Sequence, residues 1–331
     1  MTKPRFDVLC IGNAIVDVIA DTTDSFLSNQ GLHKGSMRLI DEEEAVRLYE
    51  AMGPGREISG GSAGNTAAGL AALGLDAAFI GQVADDQLGQ IYRHDIEAQG
   101  IAFLVEPRGD VGATARSLIL VTPDAQRTMN TFLGAAQMLE TGSVDLAAVA
   151  DSGIVYLEGY LWDPAAPRAA MEAAIEAAHA AGRKVAFTLS DTFCVDRHRD
   201  SFWQLLRDGK VDILFANEAE AASMGQVNDV EEAIPALAAY VQTLVVTRSE
   251  AGATAVSGGN RADVQAQAID RLVDTTGAGD LFAAGFLAGE ARGLGLEASL
   301  RLGAIAAAEV IQHYGARPEA DLRALAECVL A

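Results

Sequence analysis

Cysteine is scarce in this 331-residue chain: Cys10, Cys194 and Cys328 lie far apart and show no metal-ligand spacing. That spacing argues against a disulfide framework or a zinc site, and the thiols read as reduced, in a cytoplasmic chain. Basic side chains are few as well. There are 24 against 46 acidic ones, for a formal net charge of −22 and a pI near 4.5. Nucleic acid and anionic membrane surfaces both need a basic face, so neither is an expected partner. A small anion is still within reach, because a few backbone amides and one or two cations can hold it locally.

No run of about 18 uninterrupted apolar residues occurs, so no membrane span is expected. The stretch from Val8 to Ala20, behind Lys3 and Arg5, superficially resembles a secretion leader. Asp7, Asn13 and Asp17 break it, and no small-residue cleavage site closes it. The patterns GxxxxGK[ST] and GxGxxG are both missing, which disfavours P-loop and dinucleotide-binding readings. Internal repeats and low-complexity linkers are absent too.

What is present suits a globular α/β chain. Half the residues are apolar, 21 % are charged, and the mean hydropathy is +0.17, which excludes global disorder. A single core stops growing at about 250–300 residues, so a large domain with a smaller appendage is expected. Strand-like segments at 6–12, 77–83, 153–157, 185–189, 213–216 and 244–247 alternate with helical ones at 65–73, 87–99, 165–181 and 231–240. Such alternation predicts right-handed crossovers and a mostly parallel sheet. Residues 14–40 and 114–132 break the pattern and read as a small, discontinuous β-sheet, leaving 1–13, 41–113 and 133–331 to the large domain. The alternative is a hairpin folded back on the main sheet.

Two glycine clusters carry the chemistry. Gly60-Gly61-Ser62-Ala63-Gly64-Asn65 runs into a helix, allows close backbone approach to a ligand, and ends on a bidentate amide that could equally be a helix cap. Asp274-Thr275-Thr276-Gly277-Ala278-Gly279-Asp280 turns a loop into a helix start. Unpaired amides and the positive end of the dipole there attract phosphate oxygens. Asp280 either complements the dipole or stands as a general base beside an anion hole.

These two motifs together resemble the signatures of the ribokinase-type (PfkB) carbohydrate and nucleoside kinases, and the resemblance spans essentially the whole chain. It implies a ribokinase-like three-layer α/β sandwich with a mostly parallel central sheet and a small β lid. It further implies that Asp280 is the base and that Gly277, Ala278 and Gly279 form the anion hole. Asn217-Glu218-Ala219-Glu220 matches an Asn-x-x-Glu motif that holds hydrated Mg²⁺ through Glu220, although Asn217 could simply cap a helix. ATP is expected against Asn217, Thr247, Ser249, Gly252 and Thr276, with K⁺ in the loop from Asp274 to Gly277 as an open expectation.

On the acceptor side the resemblance assigns Asp17 to a sugar diol, with Asn13, Gly61, Ser62 and Asn65 completing that pocket. The run Gln126-Arg127-Thr128-Met129 looks like the adenosine kinase branch. Arg127 would then face the phosphates while Ile15, Met37, Met129 and Tyr160 flank a purine, unless they are ordinary lid core. Thr188-Leu189-Ser190-Asp191 departs from that branch's pattern and keeps a sugar kinase as the alternative. The expected partner is a small nucleoside or sugar, and the expected assembly a monomer or homodimer.

Overall fold

The computed structural model describes residues 3–124 and 126–330. Positions 1, 2, 125 and 331, which the expected domain boundaries include, lie outside the described residues. Fourteen strands are described: β1 (Phe6–Ile11), β2 (Ile15–Asp21), β3 (Met37–Leu39), β4 (Arg56–Ser59), β5 (Ala77–Ile80), β6 (Ala102–Phe103), β7 (Ala115–Val121), β8 (Arg127–Phe132), β9 (Ser152–Glu158), β10 (Lys184–Thr188), β11 (Ile213–Asn217), β12 (Thr243–Thr247), β13 (Ala253–Ser257) and β14 (Asn260–Val264).

Nine of them form the central sheet, in the order β14-β13-β12-β11-β10-β9-β1-β5-β6. It is parallel from β6 to β12, and β13 and β14 add an antiparallel edge. Val8, Leu9, Cys10 and Ile11 of β1 are fully buried, as a strand covered on both faces must be. Because crossovers are right-handed, the helices Ala165–Ala180, Thr192–Arg207, Glu218–Gly225 and Val230–Ala238 cover one face. Ser62–Ala72, Ala278–Ala291 and Leu296–Val310 cover the other. The chain leaves β1 and β9 in opposite directions, and the crevice beyond their carboxyl ends is where such sheets bind ligands.

The second sheet has the order β3-β8-β7-β2-β4. It therefore recruits β4, which pairs antiparallel with β2, whereas the sequence boundaries left residues 41–59 with the large domain. Arg56–Ser59 is too short to declare its partner in sequence, and its register with Val16 to Ile19 assigns it to this sheet. Period-two alternation puts Ile15, Asp17, Ser117, Met129 and Thr131 on the face that looks at the main domain. No described helix is long and apolar enough to cross a membrane.

Candidate active site

Between the two sheets lies a cavity of about 380 Å³. The lid contributes Ile15, Asp17, Ser117, Met129 and Thr131, and the start of the Ser62–Ala72 helix contributes Gly61, Ser62 and Asn65. The carboxyl ends of β10 to β12 supply Thr188, Ser190, Asn217, Glu220 and Thr247. Tyr160 follows β9, and the second glycine cluster closes the cavity with Thr276, Gly277, Gly279 and Asp280.

The Ala278–Ala291 helix starts at Gly277, whose φ of 78° is left-handed and whose missing Cβ would sit 2.5 Å from that of Ala316. Glycine is the residue that satisfies both demands. No side chain caps this helix; the Ala278 amide donates to the Thr275 carbonyl at 3.2 Å, which leaves those of Gly279 and Asp280 for an anion. Asp280 lies in that first turn and accepts from Ser62 Oγ at 2.6 Å and from Asn65 Nδ2 at 2.9 Å. Burial pushes its carboxyl up, while these two donors and the Arg317 guanidinium pull it down. The amide oxygen of Asn65, Oδ1, is buried without a partner, an acceptor left for a ligand hydroxyl.

Asp17 has no side-chain hydrogen bond among the described residues, and burial pushes its carboxyl up to about 6. Arg317 was not legible in the sequence. Its guanidinium donates to the carbonyls of Ser59 (2.9 Å) and Gly64 (2.5 Å) and draws both Asp17 and Asp280 toward ionisation. Arg127 donates through Nη1 to Asp274 and to Thr276 Oγ1, while its Nε and Nη2 are buried without partners. A lid cation is thus tied to the anion-hole loop with two donors unspent.

Residues 5–322 match the pfkB family carbohydrate kinase model. The chain belongs to that family. A probable sugar kinase of Rhizobium etli is 51 % identical, with each chain covered over 98 % and a TM-score of 0.91. The adenosine kinase of Sinorhizobium meliloti is 50 % identical over 98 % of this chain and 99 % of that one, also at 0.91. The adenosine kinase of Saccharomyces cerevisiae is 27 % identical over 95 % of this chain and 96 % of its own. This PfkB chain is a phosphotransferase acting on a hydroxyl acceptor.

Several residues that the family resemblance singled out sit elsewhere than expected. Asn13 is buried, and its amide is spent on Glu158 at 2.6 Å, so it does not line the cavity. Met37 pairs with Met129 on the sheet's outermost strand and is 55 % exposed, again off the cavity. Ser249 and Gly252 form the tight turn between β12 and β13, where Gly252 packs against the Val264 carbonyl. Ala278 does not line the cavity either, its amide being spent on the Thr275 carbonyl at 3.2 Å, and Arg127 reaches Asp274 and Thr276 without lining it. The cavity residues that sequence reasoning missed are Ser117, Thr131, Thr188, Ser190, Phe215, Ala216 and Phe282. Ser117 and Thr131 share the alternation of Asp17 and Met129 and could have been found from it.

K⁺ in the loop from Asp274 to Gly277 is an open expectation of the resemblance, and Asp274 is the carboxylate of that loop. Its Oδ1 accepts from the Thr276 amide and hydroxyl, and its Oδ2 from the Gly315 amide and Arg127. Four donors thus engage the lone pairs of the Asp274 carboxylate.

The buried carboxylates set a pH signature. Asp17 is raised to about 6, and Glu158 and Glu220 to about 7, with burial the leading cause in each. All three bind protons more tightly folded than unfolded, so their contribution to stability falls as pH rises from about 4 toward 7. Carboxylates lowered by ion pairs or hydrogen bonds, such as Asp124 and Asp274, lose their contribution only below that window. The ligand-free protein is therefore expected to melt at lower temperature at pH 8 than at pH 5. Thermal melts across the range check this, and a Tm rising with pH would contradict the burial of these groups.

Proposed function

We propose that this chain is an ATP- and Mg²⁺-dependent adenosine kinase, transferring the γ-phosphoryl group to the 5′-hydroxyl and yielding AMP. One observation carries the reading: Asp280, oriented by Ser62 and Asn65 at an uncapped helix start, shares a cavity with Asp17 and Met129 of the lid. Asp17 accepts from the ribose diol, Met129 and Ile15 lie against the base, and Asn65 Oδ1 takes a further hydroxyl. Asp280 removes the proton of the attacking hydroxyl. The amides of Gly277 and Gly279 and the free nitrogens of Arg127 stabilise the charge spreading over the transferring group. The lid excludes the water that would otherwise accept the phosphoryl group. The adenosine kinase of Sinorhizobium meliloti, at half identity, supports the same assignment. The cytoplasm, with its ATP, is the compartment this reading implies.

Glu220 fits a hydrated Mg²⁺. Its two oxygens accept from Asn217 Nδ2 at 2.6 Å and Asn217 N at 2.9 Å in a capping box, which leaves a lone pair on each for metal-bound water. Burial, with Asp191 and Asp280 nearby, raises its carboxyl to about 7, a strain that a cation relieves. When bound, Mg²⁺ neutralises charge on the leaving diphosphate. Glu220→Gln is expected to raise the Mg²⁺ concentration giving half-maximal activity. An unchanged titration would leave the motif as a helix cap alone.

The test of the reading is turnover of adenosine, inosine, ribose and fructose side by side, followed by ADP release. Adenosine is expected to show the highest kcat/KM. The hydroxyl wall of Ser117, Thr131, Thr188 and Ser190 favours sugar phosphorylation as the second reading, and a higher kcat/KM for ribose or fructose would establish it. Met129→Asp separates the two. Lost apolar burial and a carboxylate against the base should weaken adenosine binding by about 1–3 kcal/mol while affecting ribose much less.

A further inference from the structure

Glu158 ends β9 at the crevice where the chain leaves β1 and β9 in opposite directions. It has no exposed surface and does not line the cavity. Three N–H groups converge on its carboxylate. Oε1 accepts from Asn13 N at 2.7 Å and Asn13 Nδ2 at 2.6 Å, and Oε2 accepts from Ala63 N at 2.7 Å. No cation pairs with it among the described residues. Gly12 leaves room for it, since a Cβ there would stand 2.3 Å from Oε2.

The two segments it holds are those that build the acceptor site. Asn13 leads directly into β2, which carries Ile15 and Asp17. Ala63 lies between Ser62 and Asn65, the two donors to Asp280. We propose that Glu158 is a positioning residue, which fixes the acceptor-binding strand and the helix that aims Asp280 at one point on the central sheet. This extends the kinase reading above and rests on it.

The ionised form is what the role requires. A carboxylate offers acceptors in every direction, and all three neighbours are donors. Glutamine would keep the shape but turn an NH₂ group toward one of them, breaking one arm. An apolar residue of similar size would leave three buried N–H groups unpaired. Burial raises this carboxyl to about 7, and the Asn13 and Ala63 donors pull it back toward the ionised form in place of an ion pair.

A double-mutant cycle tests the inference. Glu158→Gln should lower kcat by about 10- to 100-fold, the scale of a misplaced reacting group, with the KM for MgATP within about twofold of the parent. In the Asp280→Asn background the same change should cost less than about threefold, because the group it positions has already been disabled. Equal losses in both backgrounds, or a Glu158→Gln enzyme as fast as the parent, would overturn the proposal. Should Glu158→Gln fail to fold, Asn13→Ala removes one arm and leaves the carboxylate in place. A several-fold loss of kcat that vanishes in the Asp280→Asn background is expected, and no loss or an additive one counts against the role. The cycle is run on whichever acceptor the parent turns over fastest. A sugar preferred to adenosine defeats only the nucleoside reading, whereas an Asp280→Asn enzyme as fast as the parent defeats both.

Discussion

Asp280→Asn is expected to leave the protein folded and able to bind ATP while lowering kcat by about 10²–10⁴, the usual contribution of a general base. The surroundings explain why folding should survive. Asp280 accepts one hydrogen bond from Ser62 and one from Asn65. An asparagine oxygen can still accept from Ser62. Its NH₂ group would face the Asn65 NH₂, but Asn65 can turn its amide and present the oxygen that now lacks a partner. The substitution also removes a buried charge whose carboxyl burial has pushed up, so a Tm equal to or slightly above that of the parent is expected. ADP release under saturating substrates, together with a thermal melt, reads both effects. A kcat within a few-fold of the parent would remove Asp280 as the base.

Local chemistry was legible where a residue's role follows from its neighbours in sequence. Gly277, Gly279 and Asp280 form a loop-to-helix turn, and Asn217 with Glu220 forms a capping box, because both features are built within a few residues of chain. The alternation of β1, β9, β10, β11 and β12 with helices was readable for the same reason, since each strand is a short apolar run. The helix Thr192–Arg207 was not, because its charged residues mask an apolar face of Cys194, Val195, Phe202, Leu205 and Leu206. What sequence could not show is long-range pairing. Asn13 looks like a ligand-binding amide until Glu158, 145 residues away, takes its donor. Arg317 has no local pattern at all, and its position beneath Asp17 and Asp280 depends on carbonyls of Ser59 and Gly64 more than 250 residues earlier. Ser190 reaches the cavity through a left-handed φ of 73°, which a serine does not advertise.

Arg127→Met should combine two losses that a second substitution can separate. The Arg127–Asp274 pair is nearly buried, with side-chain exposures of 9 % and 4 %. Removing one partner of such a pair strands the other, at a cost of about 3–5 kcal/mol. The low end is expected here, since Thr276 and Gly315 still donate to Asp274. Catalysis should fall as well, by about 10²–10³ in kcat, as when a preorganised donor is taken from a charge-stabilising site. Asp274→Asn in the same chain removes the stranded charge, so the double variant should regain most of the lost stability. Its kcat should stay low, because neutralising Asp274 does not restore the two free guanidinium nitrogens beside the anion hole. Denaturant midpoints and ADP release on the parent, both single variants and the double variant measure the two effects. If stability and kcat recover together, Arg127 acts only as a clasp between lid and loop. If stability recovers alone, the guanidinium acts on the transferring phosphoryl group.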